Sequence, residues 1–127
     1  MQPYQTPTVL IADDNSLMRG LLASILKDLG VRDVLNAVNG LQAVELYRKQ
    51  RPDIVFLDIQ MPDKDGIAAL KEIKELNAEA CVVMVSGFGS AENVKTAIDA
   101  GAKGFIVKPY NVNRIMGIIN KYQAAAG

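Results

Sequence analysis

The stretch Asp53-Ile-Val-Phe-Leu-Asp58 is an uninterrupted apolar run between two aspartates, and Pro52 precedes it. Its β-branched and aromatic residues predict a strand that is buried on both faces, as in the middle of a parallel sheet. An aspartate that ends such a strand is more often a turn residue or a helix cap than a reactive group. Asp58 by itself therefore predicts no chemistry.

Three other apolar runs also end at a polar or charged side chain. They are Thr8–Ala12 before Asp13 and Asp14, Cys81–Val85 before Ser86, and Gly104–Val107 before Lys108. In an open α/β sheet the carboxyl ends of the parallel strands lie at one edge, and ligands bind there. We therefore expect three carboxylates, a hydroxyl and an ammonium group to converge on one pocket.

Strand and helix patterns alternate five times along the chain, with short links between them. Strands are expected at about Thr8–Asp13, Val31–Ala37, Asp53–Asp58, Ala80–Val85 and Gly104–Val107. Helices are expected from the caps Asp14-Asn15-Ser16 to Leu29, from Asn39-Gly40 to Gln50, from Gly66 to Leu76, from Ser90 to Ala100 and from Asn111 to Tyr122. The second strand is the more polar one, which places it at an edge. This pattern predicts an α/β fold: a flavodoxin-like, doubly wound, five-stranded parallel sheet of order 2-1-3-4-5 with five helices.

The length of 127 residues fits a single domain, with a core from about residue 8 to residue 123 and tails at Met1–Pro7 and Ala124–Gly127. Helical spacing predicts the inward-facing side chains of three helices: Leu17, Leu21, Leu22, Ile25, Leu26 and Leu29 in the first, Leu41, Val44 and Tyr47 in the second, and Val94, Ala97 and Ile98 in the fourth. The last helix carries a stripe of apolar side chains that is wider than a single contact with the core requires. Ile118 and Tyr122 are therefore expected at the outer edge of this stripe. Cys81 starts a central strand, so a buried and inert thiol is expected.

The composition argues against several classes of function. Basic and acidic residues balance at 14 each, and no basic cluster indicates a nucleic-acid or membrane-surface partner. No apolar run has transmembrane length and no signal peptide is evident, so a cytoplasmic protein is expected. One cysteine and no histidine leave no disulfide, no thiolate cluster and no histidine base. Any chemistry must use carboxylates, lysine, serine and a bound cation.

The expected pocket has the composition of a phosphoryl-transfer site. Asp13, Asp14 and Asp58 would form an all-oxygen site, which suits Mg²⁺ better than Zn²⁺. Lys108 and Ser86 would contact the oxygens of a phosphoryl group on the strand-end carboxylate. Each residue taken alone has a structural explanation as a cap, a turn residue or a solvated side chain. Their joint placement favours phosphoryl transfer to an aspartate.

The order of these motifs resembles a response-regulator receiver domain, and the resemblance covers residues 9–122. It rests on the following elements: Asp13-Asp14, Asp58 followed by Met61-Pro62 and Asp65-Gly66, Ser86, Ala100-Gly101-Ala102, Phe105 and Lys108-Pro109. Two departures are evident. Gly87 stands where alanine is commoner and should loosen the loop, and Phe105 lacks the hydroxyl of relatives that carry tyrosine.

The resemblance implies a role for each site residue. Asp58 would be the phosphoacceptor, and Asp14, Asp58 and the backbone carbonyl of Gln60 would bind Mg²⁺ directly. Asp13 would bind it mainly through water, while Lys108 would contact the phosphoryl group. The switch would consist of the Ser86 hydroxyl and the Phe105 ring, and the bond between Lys108 and Pro109 is expected to be cis.

The resemblance also implies the partners. A histidine kinase or a histidine phosphotransfer protein would supply the phosphoryl group, a downstream target would bind the phosphorylated form, and a phosphatase could assist hydrolysis. The run Asn15–Arg19 after the acidic pair resembles single-domain, chemotaxis-type regulators, although a receiver module cut from a longer regulator would look much the same. The chain would catalyse its own modification and is not expected to be a turnover enzyme.

Three alternatives were weighed against this interpretation. A phosphatase of the haloacid-dehalogenase kind places a second aspartate two residues after the nucleophile, where this chain has Gln60. A flavodoxin-like FMN binder needs a Ser/Thr-rich phosphate loop after the first strand, and none follows it. A receiver fold used only as a constitutive interaction module would not need the intact pocket.

Overall fold

The computed structural model describes residues 7–61, 63–87 and 89–126, and only the backbone of residues 123–126. The elements in these ranges are β1 (Thr8–Ala12), α1 (Ser16–Asp28), β2 (Asp33–Ala37), α2 (Gly40–Gln50), β3 (Ile54–Asp58), α3 (Gly66–Leu76), β4 (Val82–Ser86), α4 (Ala91–Asp99), β5 (Gly104–Val107) and α5 (Val112–Ala126). The expectations for residues 1–6, Pro62, Phe88 and Gly127 lie outside the described residues. The strict alternation of strands and helices is confirmed.

The strands form one parallel sheet of order β2-β1-β3-β4-β5, so the expected fold class is confirmed. β3 is buried along its whole length and lies in the middle of the sheet, as its apolar run predicts. β2, with exposed and half-buried positions, lies at an edge. The predicted strand order therefore followed correctly from polarity and right-handed crossovers.

The two faces of the sheet carry separate hydrophobic clusters. Successive side chains of a strand point to opposite faces, so Leu10 packs with α2 and α3 whereas Ile11 packs with α1 and α5. Each of the five described helices follows a residue whose side chain accepts a hydrogen bond from a first-turn amide: Asn15, Asn39, Asp65, Ser90 and Asn111. These caps set the points at which the chain leaves the carboxyl edge of the sheet.

Several predicted inward-facing residues lie instead at the surface. Leu17, Leu21, Leu41 and Ile98 are exposed. On α1 the buried residues are Leu22, Ile25 and Leu26, and Leu17, nine positions before Leu26, points to the opposite side of the helix. On α4, Ala97 is buried and Val94 half-buried, so this helix is held by few contacts.

The last helix differs from its prediction in two ways. It continues to Ala126, where a tail was expected from Ala124, because a run of alanine has the highest helix propensity. Ile118 and Tyr122 are half-buried against the α1 side of the core, while Val112 and Met116 are the exposed apolar residues. The expected outer edge of the stripe was therefore assigned to the wrong residues.

Cys81 precedes β4 and is half-buried, not the fully buried strand residue that was expected. Burial raises the pKa of its thiol, and the nearby ammonium groups of Lys103, Lys74 and Lys121 oppose that shift only in part.

Among the helices of the described residues, none combines the length and the apolar character that a bilayer crossing requires.

Two leucines on α1 give a direct test of which face is buried. Leu26 is fully buried and Leu17 is 82% exposed. We expect Leu26→Ala to lower the free energy of unfolding by about 2–5 kcal/mol, because it removes buried methyl groups and leaves a cavity. Leu17→Ala should change it by less than about 0.5 kcal/mol. Urea denaturation of both variants measures this, and equal losses would contradict the orientation of α1.

Candidate functional site

The carboxyl ends of four strands bring the predicted site residues to one edge of the sheet. Asp13 and Asp14 follow β1, Asp58 ends β3, Ser86 ends β4 and Lys108 follows β5. Backbone hydrogen bonds hold the neighbouring ends in register: the Lys108 amide donates to the Ser86 carbonyl, and the Asp13 amide donates to the Ala37 carbonyl. The sheet itself therefore positions the pocket.

Three carboxylates form a tight cluster within this pocket. One oxygen from each of Asp13, Asp14 and Asp58 lies within 4.8 Å of the other two. Asp13 and Asp58 are buried, and Asp14 is exposed. Like charges so close together repel one another, and the repulsion is strongest for the two that have lost contact with water.

Lys108 offsets part of this negative charge. Its ammonium nitrogen lies 2.9 Å from Asp13 Oδ2 and 3.5 Å from Asp58 Oδ2. Burial alone would lower the pKa of Lys108, but the close contact with Asp13 and the charges of both carboxylates raise it. The lysine therefore stays protonated, and it pairs more closely with Asp13 than with Asp58.

Asp58 is the carboxyl group whose titration the site changes most clearly. Burial, followed by the charge of Asp13, raises its pKa from 3.8 to about 6, although Lys108 opposes the shift. The raised pKa means that ionised Asp58 is held in an unfavourable environment. A cation or a covalent group that removes this charge would relieve the repulsion.

The donor set fits Mg²⁺. All the candidate ligands are oxygens, they converge on one point, and two of them are held rigidly by buried strand ends. Among the described residues, no group donates a well-aligned hydrogen bond to the buried Asp13 Oδ2, although Lys108 lies beside it. Gln60 and Asp14 border an adjoining cavity of about 570 Å³, which leaves room for ligands from solvent.

The turn after β1 is fixed by side chains on both sides of the acidic pair. Asp13 Oδ1 accepts a hydrogen bond from the Asn15 amide at 2.9 Å, and the Arg19 guanidinium donates to the Asp13 carbonyl at 2.7 Å. From the sequence, Arg19 supported only a resemblance to chemotaxis-type regulators and otherwise looked like a solvated surface residue. The structure brings it to the backbone of the site, which a local spacing pattern does not reveal.

The loop after Asp58 is held by a glycine that approaches it closely. The Gly66 amide donates to the Ile59 carbonyl at 2.7 Å. A Cβ atom on Gly66 would lie 2.0 Å from the carbonyl oxygen of Asp58, so no larger residue fits without moving the backbone. The start of α3 is thereby packed against the candidate phosphoacceptor.

The two predicted switch residues lie on neighbouring strands, where Phe105 of β5 pairs with Met84, two residues before Ser86 of β4. Ser86 is buried at the end of β4, and the next residue, Gly87, is exposed with open space around it. Phe105 is already buried: only 8% of it is exposed, and it belongs to the same core cluster as Met84 and Ala97. Its backbone carbonyl accepts a hydrogen bond from Arg114 of α5 at 2.6 Å. The bond between Lys108 and Pro109 is cis, as expected.

One aromatic residue near the site was not predicted. Tyr110 is half-buried, and its hydroxyl pKa is raised by burial first and then by the negative charges of Asp13 and Asp58. Its ring packs into the α1 and α5 side of the core. The sequence feature that could have indicated a place near the site is its position directly after Lys108 and Pro109.

Comparisons with known proteins agree with the resemblance to a receiver domain. The family model described as "Response regulator receiver domain" matches residues 9–120. The chemotaxis protein CheY of Bacillus subtilis is 49% identical over 113 residues, covering 89% of this chain and 94% of that protein. The CheY of Thermotoga maritima is 43% identical, with the same coverage. A chain of the crystal structure of a CheX-CheY-BeF3-Mg complex from Borrelia burgdorferi aligns with a TM-score of 0.85 and 36% identity, covering 90% of this chain and 87% of that chain.

The raised pKa of Asp58 predicts a pH dependence of stability. The folded protein binds this proton more tightly than the unfolded chain, so the stabilisation is present below pH 3.8 and is lost as the pH rises through about 6. The whole effect is on the order of 3 kcal/mol. Without divalent cations, Asp58→Asn should therefore become progressively more stable than the natural protein between pH 4 and pH 7.

Urea denaturation across that pH range, in the presence of a chelator, measures the difference. Asp65→Asn is the matched control, since Asp65 is exposed and an asparagine also caps a helix. A difference between Asp58→Asn and the natural protein that stays constant with pH would contradict the raised pKa.

Proposed function

Because the chain belongs to the response regulator receiver domain family, with CheY-type relatives, we propose that it accepts a phosphoryl group on Asp58 from the phosphohistidine of a partner protein. The observation that carries this proposal is the placement of Asp58: a buried strand-end carboxylate, 3.5 Å from the ammonium of Lys108 and clustered with Asp13 and Asp14. The chain has no histidine, so the donor must be another protein such as a histidine kinase or a histidine phosphotransfer protein.

The reaction is a displacement at phosphorus. A carboxylate oxygen of Asp58 attacks the phosphorus atom, the bond to the donor's imidazole nitrogen breaks, and the electron pair returns to that nitrogen. The product is an acyl phosphate, which water later hydrolyses to the carboxylate and inorganic phosphate. The protein catalyses only its own phosphorylation and dephosphorylation at Asp58.

Each site residue has a part in this reaction. Lys108 is free to move from Asp13 towards a phosphoryl oxygen, because its stem is flexible and its nitrogen already lies between the two carboxylates. Ser86, buried at the neighbouring strand end, donates a hydrogen bond to another phosphoryl oxygen. Mg²⁺ held by Asp13, Asp14, Asp58 and the Gln60 carbonyl would neutralise charge on the phosphoryl oxygens.

Phosphorylation is proposed to change the surface formed by α4, β5 and α5, which we call the output face. Its exposed apolar residues are Ile98, Val107, Val112 and Met116. α4 is anchored chiefly by Ala97 and half-buried Val94, so moving it breaks few contacts. The BeF3-bound CheY from Borrelia burgdorferi was crystallised with CheX. By analogy, the phosphorylated form of this chain binds a downstream protein or a phosphatase.

Intact mass spectrometry tests phosphoryl transfer to Asp58. After incubation with acetyl phosphate and Mg²⁺, the natural protein should gain the mass of one phosphoryl group, and a chelator should prevent the gain because the metal stabilises the transferred charge. Asp58→Asn should gain none. Asp28→Asn, exposed at the end of α1, is the matched control and should be modified as the natural protein is. A modified Asp58→Asn would show that another residue is the acceptor.

Backbone amide shifts test the switch. Beryllofluoride imitates the phosphoryl group on Asp58, and charge-assisted hydrogen bonds worth roughly 1.5–3 kcal/mol each would draw Ser86 and Lys108 towards it. We expect shifts at the loop after Ser86, at Phe105 and along α4 and α5, and their loss beyond the pocket in Ser86→Ala. Shifts that stop at the pocket in the natural protein would rule out signalling through the output face.

A further inference from the structure

The loop between β3 and α3, residues 59–65, is fastened to the start of a different helix. The Gly40 amide, at the first position of α2, donates to the Lys64 carbonyl at 3.1 Å. The side chain of Asn39, which caps α2 through its oxygen, donates from its nitrogen to Asp63 Oδ2 at 3.1 Å. Two neighbouring residues of one turn therefore hold two neighbouring residues of the loop.

The contact at Gly40 depends on the absence of a side chain. A Cβ atom on Gly40 would lie 2.1 Å from the Lys64 carbonyl oxygen, 2.8 Å from its carbonyl carbon and 2.9 Å from its Cβ. The obstruction is mostly backbone, which cannot rotate away as the end of a side chain could. Any larger residue must move either the start of α2 or the loop.

The same segment of the loop is also held from the opposite side. Lys64 forms an ion pair with Glu72 of α3, and its side chain is only 24% exposed. Asp63 adopts a left-handed backbone with φ of 67°, which a non-glycine residue rarely keeps without support. Asp63 and Lys64 are therefore held between α2 and α3.

We propose that the start of α2 is a clamp that positions the loop for Mg²⁺, with Gly40 as the positioning residue. The loop begins at Asp58 and carries the Gln60 carbonyl, so its path decides where both of these oxygen atoms lie. Groups that orient metal ligands from outside the coordination shell contribute strongly to metal affinity. This inference rests on the proposed magnesium-dependent function and assigns a part of it to residues outside the acidic cluster.

Titration calorimetry with Mg²⁺ gives the first test. Gly40→Ala should weaken Mg²⁺ binding by about tenfold, the lower end of the range for supporting residues. Gly117→Ala is the matched control: Gly117 is also helical, and nothing lies within 4 Å of the Cβ it would gain. It should bind as the natural protein does. Asp14→Ala, which removes a proposed ligand, marks the affinity expected when the site itself is damaged.

Amide hydrogen exchange without Mg²⁺ tests the clamp independently of the metal. We expect faster exchange at the amides of residues 59–61 and 63–66 in Gly40→Ala, since the loop loses the contacts that hold it, and no change in Gly117→Ala. A core variant on the other face of the sheet, Ile119→Val, separates this local effect from general destabilisation. Equal exchange at the loop in Gly40→Ala and Ile119→Val would overturn the proposal.

Asn39→Ser provides a second variant should Gly40→Ala fold poorly. Serine still caps α2, but it cannot replace the amide nitrogen that bonds to Asp63. We expect about a twofold loss of Mg²⁺ affinity, as for one exposed hydrogen bond, and faster exchange at residues 63 and 64. Unchanged affinity and exchange in both variants would disprove the clamp. If instead the natural protein bound no Mg²⁺, the proposed metal site would be wrong. Hydrogen exchange would then still test whether the start of α2 holds the loop.

Discussion

Electrostatic repulsion among Asp13, Asp14 and Asp58 is built into the carboxyl edge of the sheet. One oxygen of each carboxylate lies within 4.8 Å of the others, and Lys108 is the cation that the described residues place against two of them. One ammonium cannot neutralise three carboxylates, so a negative excess remains. Burial first, and then this excess, raise the pKa of Asp58 to about 6. The site is thus stabilised by whatever supplies positive charge or removes the charge of Asp58. That property suits both a divalent cation and a reactive carboxylate.

An unfavourable cluster of this kind persists only on a rigid support. β1 and β3 are paired in the middle of the sheet, and apolar residues cover both of their faces. The burial that stabilises these strands leaves the aspartates at their ends no freedom to separate. Support is weaker on the far side, where α4 buries mainly Ala97 and where exposed Gly87 follows Ser86. The acidic cluster is therefore better supported than the α4 side of the sheet.

The candidate site was largely predictable because its parts share one sequence position: each ends or directly follows an apolar strand. Asp13, Asp14, Asp58, Ser86 and Lys108 all satisfy that rule. The contacts that adjust these residues were not predictable in the same way. Arg19 reaches the Asp13 carbonyl from a helix, and Gly40 touches Lys64 across 24 residues of chain. In the sequence these two look like a surface arginine and a helix start, since neither partner is local.

Alternating apolar runs and helix caps were enough to predict the fold, because strand burial, crossover handedness and the polarity of β2 leave one arrangement open. Helical spacing was not enough to predict which apolar residues are exposed. Leu17 and Leu26 were both predicted to face inward, yet they lie nine positions apart, on opposite sides of α1, and one is exposed and the other buried. Periodicity gives the direction in which a side chain points along its own helix, whereas burial depends on how that helix lies across the sheet. The same reason applies to Asp58: its position at a strand end is local information, but its raised pKa arises from charges and burial that only the folded chain assembles.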